Sequence, residues 1–467
     1  MNSTLQALID LIGAAHVLTA AHDTAPYLTD WRKRYTGQAL AVVCPASSDE
    51  VAGIVRLCAA HGVGIVAQGG NTGLCGAATP DASGTQIVLS LRRMNRVRQV
   101  DAINNTLTVE AGATLMQVQD AAQQAQRLFP LSLASEGSCT IGGNLSTNAG
   151  GTAVLRYGNT RDLTLGLEVV TAQGEVWHGL SGLRKDNTGY DLRDLFIGAE
   201  GTLGIITAAT LKLYPQPKAY ATAMVAVQSI EQALTLLTLA QAYAGDCLTT
   251  FELVSDRCLQ LVRKHMQRPL PFAQSFPYAV LLELSDLESE EHAQTLLNTL
   301  LSTALEQGVA DDAVIASSLQ QARQLWELRE LIAEAEAHEG RNIKHDISLP
   351  LSKLADFCAH CEQELHSLDT PLQLIVFGHL GDGNLHYNVA LPRNTENEIF
   401  NTLQTQINHL VYDCVAEYHG SISAEHGIGQ QKLATLPRYK NAVALQLMRN
   451  IKQALDPQGI MNPGKVL

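Results

Sequence analysis

Two histidines, His379 and His386, flank a glycine-containing turn in the stretch LQLIVFGHLGDGNLHYNVAL, and that arrangement can hold a metal ion. Residues 372–380 and 385–391 read as apolar, β-prone runs, and Gly381-Asp382-Gly383-Asn384 supplies the φ > 0 positions of a hairpin turn. Folding there pairs Leu380 with Leu385 and sets His379 opposite His386. Their Cβ atoms are then expected about 4.5–5.5 Å apart on one face, with Asn388 following on that face. Both imidazoles could grip one ion, or the pair could stack and hydrogen-bond in a polar cleft, because the spacing is no zinc-finger pattern. A third ligand is available in SISAEHGIGQQK as Glu425 or His426, set among Gly427 and Gly429 in a segment that reads as a loop. Two histidines and a carboxylate leave coordination positions open, which is the composition of a catalytic zinc or ferrous site; structural zinc is closed by four ligands, usually cysteines.

The elements that must carry these residues belong to a chain of 467 residues, long enough for two or more domains, with 46% hydrophobic content and a formal net charge of −14. That charge argues against nucleic acid or an anionic membrane as the main partner. Nine cysteines, an odd number without pairing rhythm, suggest reduced thiols and a cytoplasmic location. Cys358 and Cys361 form one CxxC inside a helical pattern, with no second CxxC to complete a cluster. The first thirty residues carry no basic-then-apolar signal, and no apolar run approaches the ~20 residues that span a bilayer. Glycine and short β-prone runs dominate residues 62–206, while longer amphipathic patterns such as SIEQALTLLTLAQAYAG and LQQARQLWELRELIAEAEAHEG follow from Ser229 onward. Tyr214-Pro215-Gln216-Pro217 is the best linker signal between the halves.

Three glycine-rich loops stand in the N-terminal half. A β-prone run empties into Gly69-Gly70-Asn71-Thr72-Gly73, whose successive backbone N–H groups can cradle phosphate oxygens. The others are ASEGSCTIGGNLSTNAGGTAVLRYGNTRD and IGAEGTLGIITAATL. None is a GxGxxG fingerprint or a Walker A loop, so a Rossmann or nucleotide-triphosphatase reading is disfavoured, and three together ask for a large polar ligand.

Together these loops resemble the FAD-binding domain of the vanillyl-alcohol oxidase family, and the C-terminal half resembles the substrate domain of its D-2-hydroxy acid dehydrogenase group. The resemblance runs from Pro45-Ala46-Ser47-Ser48 to MNPGKV. It implies an α+β fold: a two-subdomain FAD-binding domain over 1–215, an α+β substrate and metal domain with an antiparallel sheet over 216–430, and a helical segment over 431–467 that packs back on the FAD domain. It assigns Gly69, Gly70, Asn71, Thr72 and Gly73 to the FAD pyrophosphate. Ser135, Gly137, Ser138, Thr140, Gly143, Asn148 and Gly150 go to the middle of the flavin, and Gly204 and Ile206 to its adenosine end. Asn71 stands where some members carry a covalently attached histidine, so FAD is expected to be non-covalent. The resemblance makes His379, His386 and Glu425 ligands of a divalent metal, expected to be Zn2+, and His426 the catalytic base. Arg329 and Lys344 become substrate cations, with Asn388 in the substrate pocket.

A 2-hydroxy acid can chelate such an ion through its carboxylate and hydroxyl, which lowers the hydroxyl pKa while hydride leaves the α-carbon for flavin N5. Arginine suits the carboxylate because its fork is bidentate. The members that oxidise 2-hydroxyglutarate carry a threonine four residues after the arginine, where this chain has Ala333, which leaves D-lactate and D-malate in play beside D-2-hydroxyglutarate. The expected electron acceptor is a quinone, a cytochrome or an electron-transfer flavoprotein, and a homodimer is compatible with the family. The alternative reading is the flavin subunit of a glycolate oxidase-like complex, active only with partner subunits. A metal hydrolase that uses the glycine loops for a nucleotide substrate is the rival of another class.

Overall fold

A computed structural model describes residues 3–467. The chain divides into two compact units, each discontinuous in sequence.

The first unit takes residues 3–150, 158–216 and 425–467 and holds two main sheets beside a two-stranded pairing of Arg127–Leu128 with Tyr214–Pro215. The smaller is built from β1 (Val17–Leu18), β2 (Ala41–Val43), β3 (Ile65–Gln68) and β4 (Ile87–Ser90) in the order β1-β2-β4-β3. Both β2 and β3 run parallel to β4, so the helix α1 (Ser48–His61) serves as a crossover. Ser47 starts that helix by accepting a hydrogen bond from the Glu50 N–H, and Gly62 ends it at φ 64°. The larger sheet is antiparallel: β5 (Val97–Asp101), β6 (Thr106–Glu110), β7 (Thr164–Thr171), β8 (Val176–Gly179) and β9 (Gly204–Lys212), in the order β5-β6-β9-β7-β8. The two sheets are the two subdomains of the FAD-binding fold. The last segment returns to this unit, where Ile65 N–H donates to Ile460 and the Asn462 side chain donates to the Ala77 and Glu200 carbonyls.

The second unit takes residues 151–157 and 217–424. Its antiparallel sheet contains β10 (Ala219–Val227), β11 (Leu248–Ser255), β12 (Tyr278–Asp286), β13 (Asp312–Ile315), β14 (Arg341–Ile343), β15 (Asp346–Ser348), β16 (Gln373–His379) and β17 (Asn384–Leu391). The path is β13-β10-β12-β11-β16-β17-β14, and β15 also pairs with β17. Residues 151–157 fall within the stretch expected for the FAD domain but pack here, where Thr250 Oγ1 donates to the Thr152 carbonyl at 3.1 Å and Arg156 reaches the Ser285 carbonyl. The predicted long helix around LQQARQLWELRELIAEAEAHEG is two helices, α2 (Leu319–Glu330) and α3 (Ile332–Glu339). Leu325, Leu328, Ile332 and Ala335 from this pair join the apolar core with Val254, Leu281 and Phe377 from the sheet. No helix among the described residues is long and apolar enough to cross a membrane.

The histidine hairpin forms, with a different register from the one read in the sequence. A short helical turn, Leu380–Asp382, and Gly383 at φ 82° connect β16 to β17. This connection uses more residues than a tight turn, so Phe377 and not His379 is the Cα partner of His386. His379 is paired across its other edge, with Glu252 of β11. Leu380, expected to pair with Leu385, lies in the helical turn.

Candidate active site

In the first unit a cleft is lined by Gly69, Gly70, Asn71, Thr72, Gly73, Thr140, Gly143, Gly204, Ile206 and His426. The loop after β3 lies so close to the segment 138–140 that only glycine fits. A Cβ on Gly70 would stand 1.9 Å from the Ser138 carbonyl oxygen, and one on Gly69 would stand 2.2 Å from Thr140 Oγ1. Asn71 sits in the left-handed region at φ 53°, held there by a hydrogen bond from its Nδ2 to the Thr29 carbonyl at 2.9 Å. A Cβ at Gly73 would meet no atom within 4 Å. Thr140 Oγ1 is buried without a protein partner, the kind of group a bound polar ligand satisfies. The cleft therefore fits a long phosphate-bearing molecule such as FAD.

Five of the expected flavin residues, Ser135, Gly137, Ser138, Asn148 and Gly150, lie outside the cleft lining. Ser135 and Ser138 close a turn, in which the Ser138 and Cys139 N–H groups donate to the Ser135 carbonyl, and Gly137 belongs to that turn. Asn148, at φ 51°, ends the helix Ile141–Thr147, and its Oδ1 accepts from the Arg161 N–H at 2.9 Å. Gly150 follows two residues later.

The return loop Glu425–Gly429 brings His426 into this cleft. Glu425 and His426 lie within one ion-pair distance, Oε1 to Nε2 3.5 Å. Glu200, which no sequence pattern marked, positions the loop: its two carboxylate oxygens accept from the Ile428 N–H at 2.7 Å and the Gly429 N–H at 2.8 Å. Burial raises its pKa, and these two backbone donors work against that rise. Replacing Glu200 with alanine strands two amides, so we expect a loss of about 1–3 kcal/mol of stability, read as a lower melting midpoint followed by flavin fluorescence. An unchanged midpoint would remove Glu200 from this role.

In the second unit the two histidines keep company with charged side chains. The His379 and His386 rings lie 5.9 Å apart between centroids, and the Phe377 ring sits 4.8 Å from that of His386, tilted by 42°. His379 Nδ1 and Glu252 Oε1 are 2.5 Å apart. Arg329 Nε donates to Glu252 Oε2 at 2.7 Å, with its guanidinium 4.8 Å over the Phe377 ring. Burial would raise the Glu252 pKa, yet the His379 and Arg329 charges and hydrogen bonds hold it down at about 2. Lys344 pairs with Glu336, which is wholly buried. Glu336 also accepts from Asn388 Nδ2 at 2.9 Å, while Asn388 Oδ1 accepts from the His345 N–H. Both ends of the Asn388 amide are thus engaged within the protein, and its visible work is to hold Glu336 and, through it, Lys344. Tyr387 points to the opposite face, against Phe357, as strand alternation requires. A histidine whose Nδ1 is held by a buried carboxylate, beside a second imidazole, is a donor set that fits a divalent cation.

Residues 216–466 match the C-terminal domain of FAD-linked oxidases, and residues 39–179 match an FAD binding domain. The chain belongs to the FAD-linked oxidase family. Within it, the chain is 40% identical over 455 residues to a D-2-hydroxyglutarate dehydrogenase of Xanthomonas citri pv. viticola, covering 97% of this chain and 95% of that one. It is 38% identical over 462 residues to the mitochondrial D-2-hydroxyglutarate dehydrogenase of Bos taurus, with 99% and 83% covered. With that of Stutzerimonas stutzeri the identity is 37% over 464 residues, with 98% of each chain covered. Among solved structures, p-cresol methylhydroxylase with substrate bound has a TM-score of 0.78 at 19% identity, covering 99% of this chain and 96% of that one. Alkyldihydroxyacetonephosphate synthase has a TM-score of 0.76 at 17% identity, with 99% and 84% covered. These two structures establish the vanillyl-alcohol-oxidase-type fold alone. The family membership makes this chain an FAD-dependent oxidoreductase of the D-2-hydroxy acid dehydrogenase group.

Proposed function

We propose that the protein oxidises D-2-hydroxyglutarate to the 2-oxo acid, with D-malate and D-lactate as lesser substrates, and passes hydride to a non-covalently held FAD. The observation that carries the reading is the pairing of His379 and Arg329 with buried Glu252, with His386 beside His379, in a chain alike along its length to D-2-hydroxyglutarate dehydrogenases. His379 and His386 would hold a divalent cation, Zn2+ in our reading, with Glu425 as the third ligand expected from the sequence. When bound, such a cation polarises the substrate hydroxyl and FAD accepts the hydride. The Arg329 guanidinium, fastened through Nε, binds the substrate carboxylate through its Nη groups, and Lys344 adds a second positive charge. His426, which lines the flavin cleft, takes the hydroxyl proton. Ala333 offers no hydrogen bond to a distal carboxylate, which supports a wider substrate range than that of a strict hydroxyglutarate enzyme. A quinone, a cytochrome or an electron-transfer flavoprotein then reoxidises the flavin.

The test is the anaerobic visible spectrum of the purified protein before and after each of D-2-hydroxyglutarate, D-malate, D-lactate and glycolate. The flavin band should bleach fastest with D-2-hydroxyglutarate, and a chelator should abolish bleaching until Zn2+ is restored. A yellow protein that none of the acids bleaches would sink the substrate class, and bleaching indifferent to the chelator would sink the metal. Bleaching by glycolate alone would favour the subunit reading.

A further inference from the structure

Glu252 is fully buried in β11, with its Cα opposite that of His379 across the strand pair. Its two oxygens serve two different donors, His379 Nδ1 at 2.5 Å and Arg329 Nε at 2.7 Å. An ionised carboxylate can only accept, so Nδ1 carries a proton. With that proton kept on Nδ1 by Glu252, the nitrogen that gives up its proton to a binding cation is Nε2, which becomes the ligand atom. The same anion accepts from the guanidinium at Nε while the Phe377 ring lies against its face, and the two contacts together fix the guanidinium. We propose that Glu252 is the positioning residue of this site: one buried anion sets both the ligand tautomer of His379 and the orientation of Arg329, and so couples cation binding to substrate binding. The proposal rests on the functional reading given above.

Replacement by glutamine separates this role from bulk packing. The amide keeps the shape but offers one acceptor and one donor to two N–H groups. Arg329 has no acceptor form and cannot adapt. His379 can, by moving its proton to Nε2 and accepting at Nδ1, and Nε2 is then lost as a ligand. Cation binding should therefore suffer more than FAD binding, which draws on the other unit.

The experiment titrates Zn2+ into metal-stripped, FAD-loaded protein against a chromophoric chelator, and measures KM and kcat for D-2-hydroxyglutarate at saturating Zn2+. For Glu252→Gln we expect unchanged flavin absorbance, Zn2+ binding weakened about 10–100-fold, and a KM that rises by a larger factor than kcat falls. Wild-type Zn2+ affinity in a Glu252→Gln protein that retains FAD overturns the inference and leaves the functional reading standing. A wild-type protein that bleaches with D-2-hydroxyglutarate yet binds no Zn2+ overturns the metal reading and this inference with it. Should Glu252→Gln fail to fold, Glu252→Asp puts the same question, because the shorter carboxylate cannot reach both donors: weaker Zn2+ binding supports the proposal and wild-type affinity overturns it.

Discussion

Replacing His426 with asparagine should slow substrate-dependent bleaching of the flavin by about 10^2- to 10^4-fold, the usual contribution of a positioned general base. The return loop places this imidazole in the cleft lined by Gly69–Gly73 and Gly204, and Glu200 holds the two residues that follow Gly427. Asparagine keeps a polar group of moderate size in the cleft but accepts no proton near neutral pH, so FAD absorbance should persist while the anaerobic single-turnover rate falls. The loss should be partly recovered as pH rises, because hydroxide can then remove the proton in place of the side chain. A His426→Asn protein that bleaches at the wild-type rate would mean that the imidazole only orients Glu425, its ion-pair neighbour at 3.5 Å.

The second large effect concerns the flavin itself. Gly70→Ala should yield protein without FAD, because the added methyl would lie 1.9 Å from the Ser138 carbonyl oxygen and 2.9 Å from its carbonyl carbon. Neither is the end of a flexible side chain, so the two backbone segments that form the cleft must part. Gly73→Ala is the matched control: its Cβ meets no protein atom within 4 Å, so the protein should fold with wild-type stability and lose only such affinity as the methyl takes from cofactor space. The ratio of flavin absorbance to protein absorbance, with thermal denaturation of each apoprotein, reads both effects. Equal FAD content in Gly70→Ala and wild type would show that the loop opens at little cost.

Several parts of this picture are legible from local chemistry. The Gly69–Gly73 loop, the turn between His379 and His386 and the glycine-spaced Glu425-His426 loop each declare themselves, because positive φ and close backbone approach restrict residue choice within a few positions. The run from Ser47 to Gly62 likewise carries its own start and stop. Among the residues that local sequence did not mark are Asp346, the buried partner of His386 across the strand pair, and Glu252, Glu336 and Glu200. Glu252 lies in an ordinary β-prone run and Glu336 in an ordinary helix, and each acquires meaning only from a distant partner. Glu252 meets His379 across 127 positions of sequence, Glu336 meets Asn388 across 52, and Glu200 meets Ile428 across 228.

The hairpin shows where that boundary falls. From the sequence alone come its existence, its two histidines, the flavin loops and the α+β division into a FAD-binding part and an antiparallel part, since turn chemistry and residue type act over short range. Tertiary structure alone decided that Phe377 faces His386, that His379 is paired with Glu252, and that Arg329 and Lys344 each lean on a buried carboxylate. Register depends on how many residues the connection consumes. A buried charge is placed by whichever partner the fold brings to it, because leaving it unpaired costs several kcal/mol, roughly the margin by which a domain is stable.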